Sequence, residues 1–370
     1  MGRSPSNPTE SESDIASPDA VLGDAMRYHL ASDNWAPALP AVLEAVMAAN
    51  TGDEMSYGRD RYTSRLQDIV RDEFGGRATA YPVFNGTGAN VVALQAMQPT
   101  WGGVICAHSA HINTDEGGAP ERVAGLKMLQ ANSIDGKLTV DHVTALAHNF
   151  GIVHHAQPSV VSLTQSTELG TLYTPEEIAA VAEVAHGYGM GVHLDGARLT
   201  NAAAALNLPL GALATDVGVD VISLGGTKSG LMFGELVVVL EPDRVTGIEY
   251  IRKYTMQLAS KMRYISAQFI ALLEGELWRH GARHANEQAT LLRSLVEDIP
   301  GLTITQPTQA NAVFAILPPG VEDEVRAIAD FQTWNPATRE VRWMCSHETT
   351  DDVVYGFAKE LREIVASASG

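Results

Sequence analysis

The residue with the clearest chemical potential is Lys228, set in Ser223-Leu-Gly-Gly-Thr-Lys-Ser-Gly230 between two apolar stretches. Gly225, Gly226 and Gly230 let the backbone come close to a bulky ligand. A lysine drawn out of water there has a lowered pKa and becomes a nucleophile, which is what Schiff-base chemistry with a carbonyl compound requires. Glycine-flanked turn lysines are also common on protein surfaces, so the segment alone favours a solvated turn. Its neighbours in the chain alter that balance.

A lysine serving pyridoxal phosphate needs three companions: a carboxylate for the pyridinium nitrogen, a cradle for the phosphate and a flat partner for the ring. Asp195, in HLDGARLTNAA, falls at the end of an apolar strand pattern, where it fits the first requirement and equally well a helix cap. Phe84-Asn-Gly-Thr-Gly-Ala-Asn90 leads into the helical VVALQAM, so the amides of Gly86, Thr87 and Gly88 can face a phosphate from a helix N-terminus. His111, in AHSAHINTDEGG, can supply the flat partner. His108 and His111 with Asp115 and Glu116 also invite a metal reading, but one histidine pair is weak support and no metal is expected.

These residues need a scaffold, and composition bounds it. The chain has 370 residues, 45% of them hydrophobic, and a formal net charge of −19. At about 150 residues per domain this suggests two domains with a substantial core. The acidic excess argues against nucleic acid and anionic membrane as partners, since phosphate neutralisation needs clustered Lys and Arg. Cys106 and Cys345 form neither a disulfide framework nor a CxxC pair, which points to a reducing, cytoplasmic setting. Residues 1–25 are rich in Ser, Pro and acid and read as a disordered arm with no secretory h-region. No run approaches the length of a membrane helix.

Short β-branched blocks alternate with amphipathic segments through the middle of the chain, the pattern of an α/β fold with a mostly parallel sheet. Val160–Leu163 is read as a strand, followed by a helix that Thr174 caps, Pro175 starts and Glu177 completes as a capping box. Its stripe is Ile178, Val181, Ala182 and Ala185. Further strands are expected at Met190–Leu194, Val219–Leu224 and Glu235–Leu240, then helical pattern from Glu249 to Val296. AVFAILP, EVRWMCS and a helix from Asp351 to Val365 suggest a smaller α+β unit. The expected division is a large domain over 26–280, with its N-terminal segment contributing to the site, and a small one over 281–370.

In order, Ser32-Asp33-Asn34, GDEMSYG, NGTGAN, AHINTDEGG, SLTQSTELGT, HLDGARLTNAA, SLGGTKSG, QLASKMR and VRWMCSHETT resemble the low-specificity threonine aldolases, fold-type-I pyridoxal phosphate enzymes. The likeness covers almost all of the chain after residue 30. HLDGAR followed by GGTK carries most of its specificity. Ala31 stands where the family often has Arg, and GDEMSYG is one residue longer than the commoner form.

The resemblance implies a large cofactor domain with a central sheet between helices and a smaller C-terminal domain. It makes Lys228 the Schiff-base lysine, Asp195 the partner of the ring nitrogen and His111 the stacking residue. Gly86, Thr87 and Thr227 would hold the phosphate, and Ser32, Arg198 and Arg342 the substrate carboxylate. His154 aligns with a histidine near the substrate hydroxyl. Tyr57, Arg252, Lys253 and Arg263 match residues that reach a neighbouring subunit's site, in a homotetramer built of dimers. The implied reaction is retro-aldol cleavage of threonine or allo-threonine to glycine and acetaldehyde. A β-eliminating lyase would keep the same lysine and aspartate, and a non-catalytic binding protein would share the fold. A dinucleotide oxidoreductase would need GxGxxG after the first strand, which NGTGAN does not supply.

Overall fold

The structure, a computed structural model, describes residues 28–368, so the expected arm over 1–25 lies outside the described residues. The first eight strands are β1 (Tyr28–His29), β2 (Thr79–Val83), β3 (Gly102–Ala107), β4 (Lys127–Ala131), β5 (Gln157–Thr164), β6 (Gly191–Gly196), β7 (Val221–Gly225) and β8 (Glu235–Val239). Seven of them form one sheet in the order β2-β8-β7-β6-β5-β3-β4. All its pairings are parallel except those of β8, which runs antiparallel to both β2 and β7. The uninterrupted burial of β3, β6, β7 and β8 explains their continuous apolar runs, since both faces of this sheet are covered.

The chain moves outward from β3 to β4, returns to β5 and then proceeds the other way through β6 and β7. That reversal puts a switch point between β3 and β5, the place where open α/β sheets leave a crevice beyond the strands' carboxyl ends. Register then lines up the crevice floor: Thr164 of β5 pairs with Asp195 of β6, which pairs with Ser223 of β7. One layer lower, buried His193 bonds Ser162 Oγ through Nδ1 at 2.9 Å and Ser223 Oγ through Nε2 at 3.0 Å, tying three strands together. Burial lowers the His193 pKa to about 4, so the ring is neutral near pH 7.

The helix after β5 forms as its sequence dictates. It spans Pro175–Gly187, Thr174 and Glu177 make the reciprocal capping box, and Ile178, Val181, Ala182 and Ala185 are buried. The region from Glu249 to Val296 is less regular than its periodicity predicts. It divides into helices Ile248–Tyr254, Arg263–Leu273 and Leu277–Val296, and the last break falls inside EGE, where Gly275 (φ 68°) and Glu276 (φ 57°) turn left-handed. Only glycine takes such a φ without cost, so the lone Gly275 marks the break although no proline announces it.

The last strands are β9 (Thr303–Ile304), β10 (Ala312–Ile316), β11 (Ala329–Asp330), β12 (Gln332–Asn335) and β13 (Glu340–Met344). Four of them make an antiparallel sheet, β12-β13-β10-β9, against the Asp351–Ala368 helix. Its core, with Val313, Trp343, Phe357 and Leu361, is separate from that of the large sheet. Tyr28 and Leu30 belong to this second core: β1 pairs in parallel with β11, and the Met344 amide donates to the Leu30 carbonyl at 2.8 Å. The Leu277–Val296 helix joins the two cores, burying Trp278 and Ala282 in one and Ala289, Leu292 and Val296 in the other. Among the described residues no helix is long and apolar enough to cross a membrane.

Candidate active site

A cleft lies beyond the carboxyl ends of β5, β6 and β7, and Lys228, Asp195, His111, Arg198 and Gly86 line it together. The lysine turn is built tightly. A Cβ on Gly225 would stand 2.4 Å from the Ala197 carbonyl oxygen and one on Gly226 2.4 Å from that of Gly234, so neither glycine has room to be replaced. The Gly226 amide donates to Glu235 Oε2 at 2.6 Å, while Gly230 closes the turn at φ 102°. Burial lowers the Lys228 pKa, Arg198 pushes in the same direction, and Asp33, Asp195 and Glu235 oppose both. The amine is thereby brought toward the neutral, nucleophilic form that glycine-flanked placement suggests.

Asp195 is held by two donors. Its Oδ1 accepts the Ala197 amide at 3.0 Å and its Oδ2 accepts Asn90 Nδ2 at 2.9 Å. The same Asn90 nitrogen donates to Glu116 Oε1 at 2.8 Å, and that oxygen meets His111 Nδ1 at 2.9 Å. This run of bonds fixes the aspartate and the imidazole relative to each other across the cleft. The hydrogen bond to Glu116 raises the His111 pKa, against the opposing effect of burial. The sequence suggests no role for Asn90, and for Glu116 only that of a metal ligand beside His108 and His111. Their signal was position: Asn90 is one helical turn beyond Gly86, on the face that looks at β6.

Glu168 was also passed over. It follows β5, lines the cleft, and its Oε1 accepts the His111 backbone amide at 2.8 Å. Burial pushes its pKa up to about 7.

The glycine turn leads into the Gly86–Ala96 helix as expected, with one correction. Asn85 caps it, its Oδ1 accepting the Gly88 amide at 2.8 Å, so Gly88 has no free donor for an anion. The amides of Gly86 and Thr87 lie in the first turn, where a helix supplies no acceptor of its own. Gly88 is needed for space instead: a Cβ there would come within 2.3 Å of the Gln257 side chain, whose Oε1 accepts the Phe84 amide at 3.0 Å. Thr227 turns its hydroxyl to the Gly234 carbonyl at 3.5 Å, beside the lysine.

Arg198 does not wait alone for a carboxylate. Its Nε and Nη2 donate to Asp33 Oδ2 and Oδ1 at 2.7 and 2.9 Å, a bidentate pair that is almost wholly buried. Asn311 Nδ2 adds a third donor to Asp33 at 3.1 Å. Ser32, read as a substrate contact, instead accepts the Asn34 amide at 3.2 Å and lines a neighbouring open groove with His29 and Trp35. Arg342 on β13 is half-buried, with its guanidinium 5.2 Å from the Trp334 ring centre and Nη2 3.4 Å from the Ala31 carbonyl. Its Nε makes no hydrogen bond among the described residues, and burial lowers its pKa to about 10. No carboxylate among the described residues forms an ion pair with it, which leaves it able to meet an incoming anion.

His154 does not reach the cleft within its own chain. It is exposed and precedes β5, whose eight residues rise about 26 Å before the carboxyl end where the cleft opens. Within one chain His154 thus stands at the end of β5 opposite the cleft. The four residues read as cross-subunit contributors lie together at the surface or near it. Tyr57 (φ 60°) is exposed under Lys253 Nζ, 5.1 Å from the ring centre, and Arg263 Nη1 donates to the Gly52 carbonyl at 2.8 Å. Arg252 is buried, 5.4 Å over the Tyr81 ring of its own chain.

These residues fit pyridoxal 5′-phosphate. A desolvated lysine faces a doubly hydrogen-bonded carboxylate across a cleft edged by free helix-start amides and a histidine. Glycines stand where any side chain would fill the space. The fold, with its mostly parallel seven-stranded sheet and small antiparallel C-terminal sheet, is that of the fold-type-I pyridoxal phosphate enzymes. Aspartate aminotransferase from Thermus thermophilus superposes with a TM-score of 0.67 at 13% identity, over 92% of each chain. The chain belongs to the β-eliminating lyase family, whose model matches residues 29–318. Within that family it is similar to the low specificity L-threonine aldolase of Pseudomonas aeruginosa, 37% identical over 91% of this chain and 98% of that protein. A Pseudomonas sp. enzyme of the same description is 38% identical with the same coverage. The threonine aldolase of Leishmania major matches with a TM-score of 0.86 at 27% identity, over 91% of this chain and 99% of that one.

Proposed function

We propose that this protein is an aldehyde-lyase that cleaves the Cα–Cβ bond of threonine or allo-threonine, giving glycine and acetaldehyde. The observation that carries this reading is one cleft holding Lys228, Asp195 and Arg198, with Arg342 nearby, in a chain similar to threonine aldolases along nearly its whole length. Lys228 would hold the aldehyde carbon of pyridoxal phosphate, Asp195 its ring nitrogen, His111 its ring face, and the Gly86 and Thr87 amides its phosphate. When bound, the cofactor supplies a protonated pyridine ring that accepts the electron pair of the breaking bond.

The remaining work falls to side chains. Asp33 occupies Nε and Nη2 of Arg198, leaving Nη1 for the substrate carboxylate, and the unpaired Arg342 provides the second contact. Two fixed cations orient the amino acid so that the bond to Cβ, and not that to hydrogen, is aligned for cleavage. Purified protein with added cofactor should release glycine and acetaldehyde from L-threonine or L-allo-threonine; pyruvate and ammonia without aldehyde would mark a β-eliminating lyase instead.

The cytoplasmic setting and the assembly belong to the same proposal. Both cysteines are buried free thiols, in keeping with a reducing compartment. Met55, Tyr57, Phe84, Met232, Phe233, Tyr254 and Met256 are all exposed, with the Phe84 and Phe233 rings stacked 6.4 Å apart. So many large apolar groups are costly to leave in water, which supports a homotetramer of dimers meeting here. Light scattering should give a mass near four chains, and Phe233→Glu should lower it.

A further inference from the structure

Cleavage of a β-hydroxy amino acid needs an acceptor for the hydroxyl proton, and within a single chain His154 lies outside the cleft. We propose that Glu168 takes this proton, as a catalytic residue of the cleavage step. The inference rests on the aldolase reading above.

Three observations support it. Glu168 lies at the switch point between β3 and β5, on the crevice wall shared with Asp195 and Lys228. One of its oxygens is fixed, since Oε1 accepts the His111 amide at 2.8 Å, which holds the carboxyl at a set position beside the imidazole. The other oxygen, Oε2, is buried and meets no donor at normal hydrogen-bond geometry among the described residues, although the Thr164 hydroxyl lies close enough to the carboxyl to favour its charged form. A carboxylate oxygen without a donor is costly unless a ligand supplies one, and a substrate hydroxyl is such a donor.

The competing carboxylates are held by more donors. Glu116 Oε1 serves both Asn90 and His111, which leaves Oε2 as its one oxygen without a partner among the described residues, and Asp195 serves Asn90 and Ala197. His111 has Nδ1 on Glu116, and that bond raises its pKa, which enlarges the share of the ring that is protonated and without a lone pair to accept. The charges facing Glu168 are Asp195 on β6, Arg198 after it, Lys228 across the cleft, and the His111–Glu116 pair; Cys106 on β3 and Tyr173 are the neutral titratable neighbours. Burial and Asp195 bring Glu168 to about 7, where it can take up and return a proton near neutral pH.

The step balances. The O–H proton passes to Glu168 Oε2 and the O–H electron pair becomes the second C–O bond of the aldehyde. The Cα–Cβ pair stays on Cα, which later gains a proton as glycine forms. No oxidant or reductant is required.

The test compares wild type, Glu168→Gln and Glu168→Asp. Each is assayed for acetaldehyde from L-threonine and, by NMR, for exchange of glycine Cα hydrogen with solvent deuterium, a reaction with no hydroxyl. Protonation of the carboxyl is followed in the cofactor-free protein by infrared difference spectroscopy. Glu168→Gln should slow aldehyde release about 10²-fold or more while slowing glycine exchange far less. It should also remove the acid limb of the wild-type kcat/KM profile and the carboxyl band that titrates near neutral pH. Glu168→Asp should recover part of the cleavage rate. Equal loss of both reactions in Glu168→Gln, or cleavage within about threefold of wild type, overturns the assignment. Wild type that exchanges glycine yet releases no aldehyde overturns the aldolase reading and this inference with it.

Discussion

Lys228→Ala will reduce threonine cleavage by at least about 10³-fold, roughly 4 kcal/mol of transition-state stabilisation, while leaving the fold intact. No other amine lines the cleft among the described residues. The lysine sits in a turn whose shape depends on Gly225, Gly226 and the Glu235–Gly226 bond, none of which involves its side chain. Its ammonium is disfavoured by burial and by Arg198, so its removal deletes a group that is uncomfortable when charged. Thermal unfolding should therefore move little, and absorbance should show cofactor retained weakly through Asp195 and the helix-start amides. Turnover that survives the change would remove Schiff-base chemistry from this protein. A large drop in Tm would instead mean that the lysine holds the turn together.

Asp33→Ala is expected to be the most destabilising single change at the site, costing about 3–5 kcal/mol, because it leaves the buried Arg198 guanidinium without its counter-ion. The pair is bidentate at 2.7 and 2.9 Å, and Asn311 supports the same carboxylate. The pH dependence has a definite sign. Burial alone would raise the Asp33 pKa, but Arg198, Lys228 and Asn311 outweigh it and lower it from 3.8 to about 2. A depressed carboxylate pKa contributes stability above the unfolded value, and that contribution fades as pH falls from about 3.8 toward 2. Urea unfolding at pH 7 and pH 3, with Arg198→Met and the double variant, should show strong coupling at pH 7 that shrinks at pH 3. Independent effects of the two changes would mean that the pair is replaceable by water. The kinetic effect should fall mainly on KM, since a freed Arg198 no longer points one nitrogen at the substrate.

The parts of this site legible in the sequence are those whose chemistry is written in a short window. Lys228 stands out against its glycines, Asp195 against an apolar strand, and Gly86-Thr87 against the helix that follows. Thr174, Pro175 and Glu177 likewise fix a helix start through contacts only three residues apart. The groups that were missed are defined by partners far along the chain: Asn90 and Asp195 are 105 residues apart, Arg198 and Asp33 165, and Glu168 is bound to His111 across 57. No local pattern distinguishes such a glutamate from a solvated one. His154 shows another limit. Sequence distance to a strand says nothing about which end of that strand holds the ligand, and the two ends lie a whole strand's length apart.

The serine–histidine–serine bridge under the floor has a directional property. Above pH about 4 His193 carries one N–H and one lone pair, so one of Ser162 and Ser223 must donate to the ring and the other accept from it. The bridge thus holds two alternative proton patterns of equal charge. The bridge can reorient its dipoles when Ser223 meets a ligand, yet it neither gains nor loses a proton near neutral pH. It passes a change of polarity from one strand to the next without changing the charge of the layer beneath the cleft.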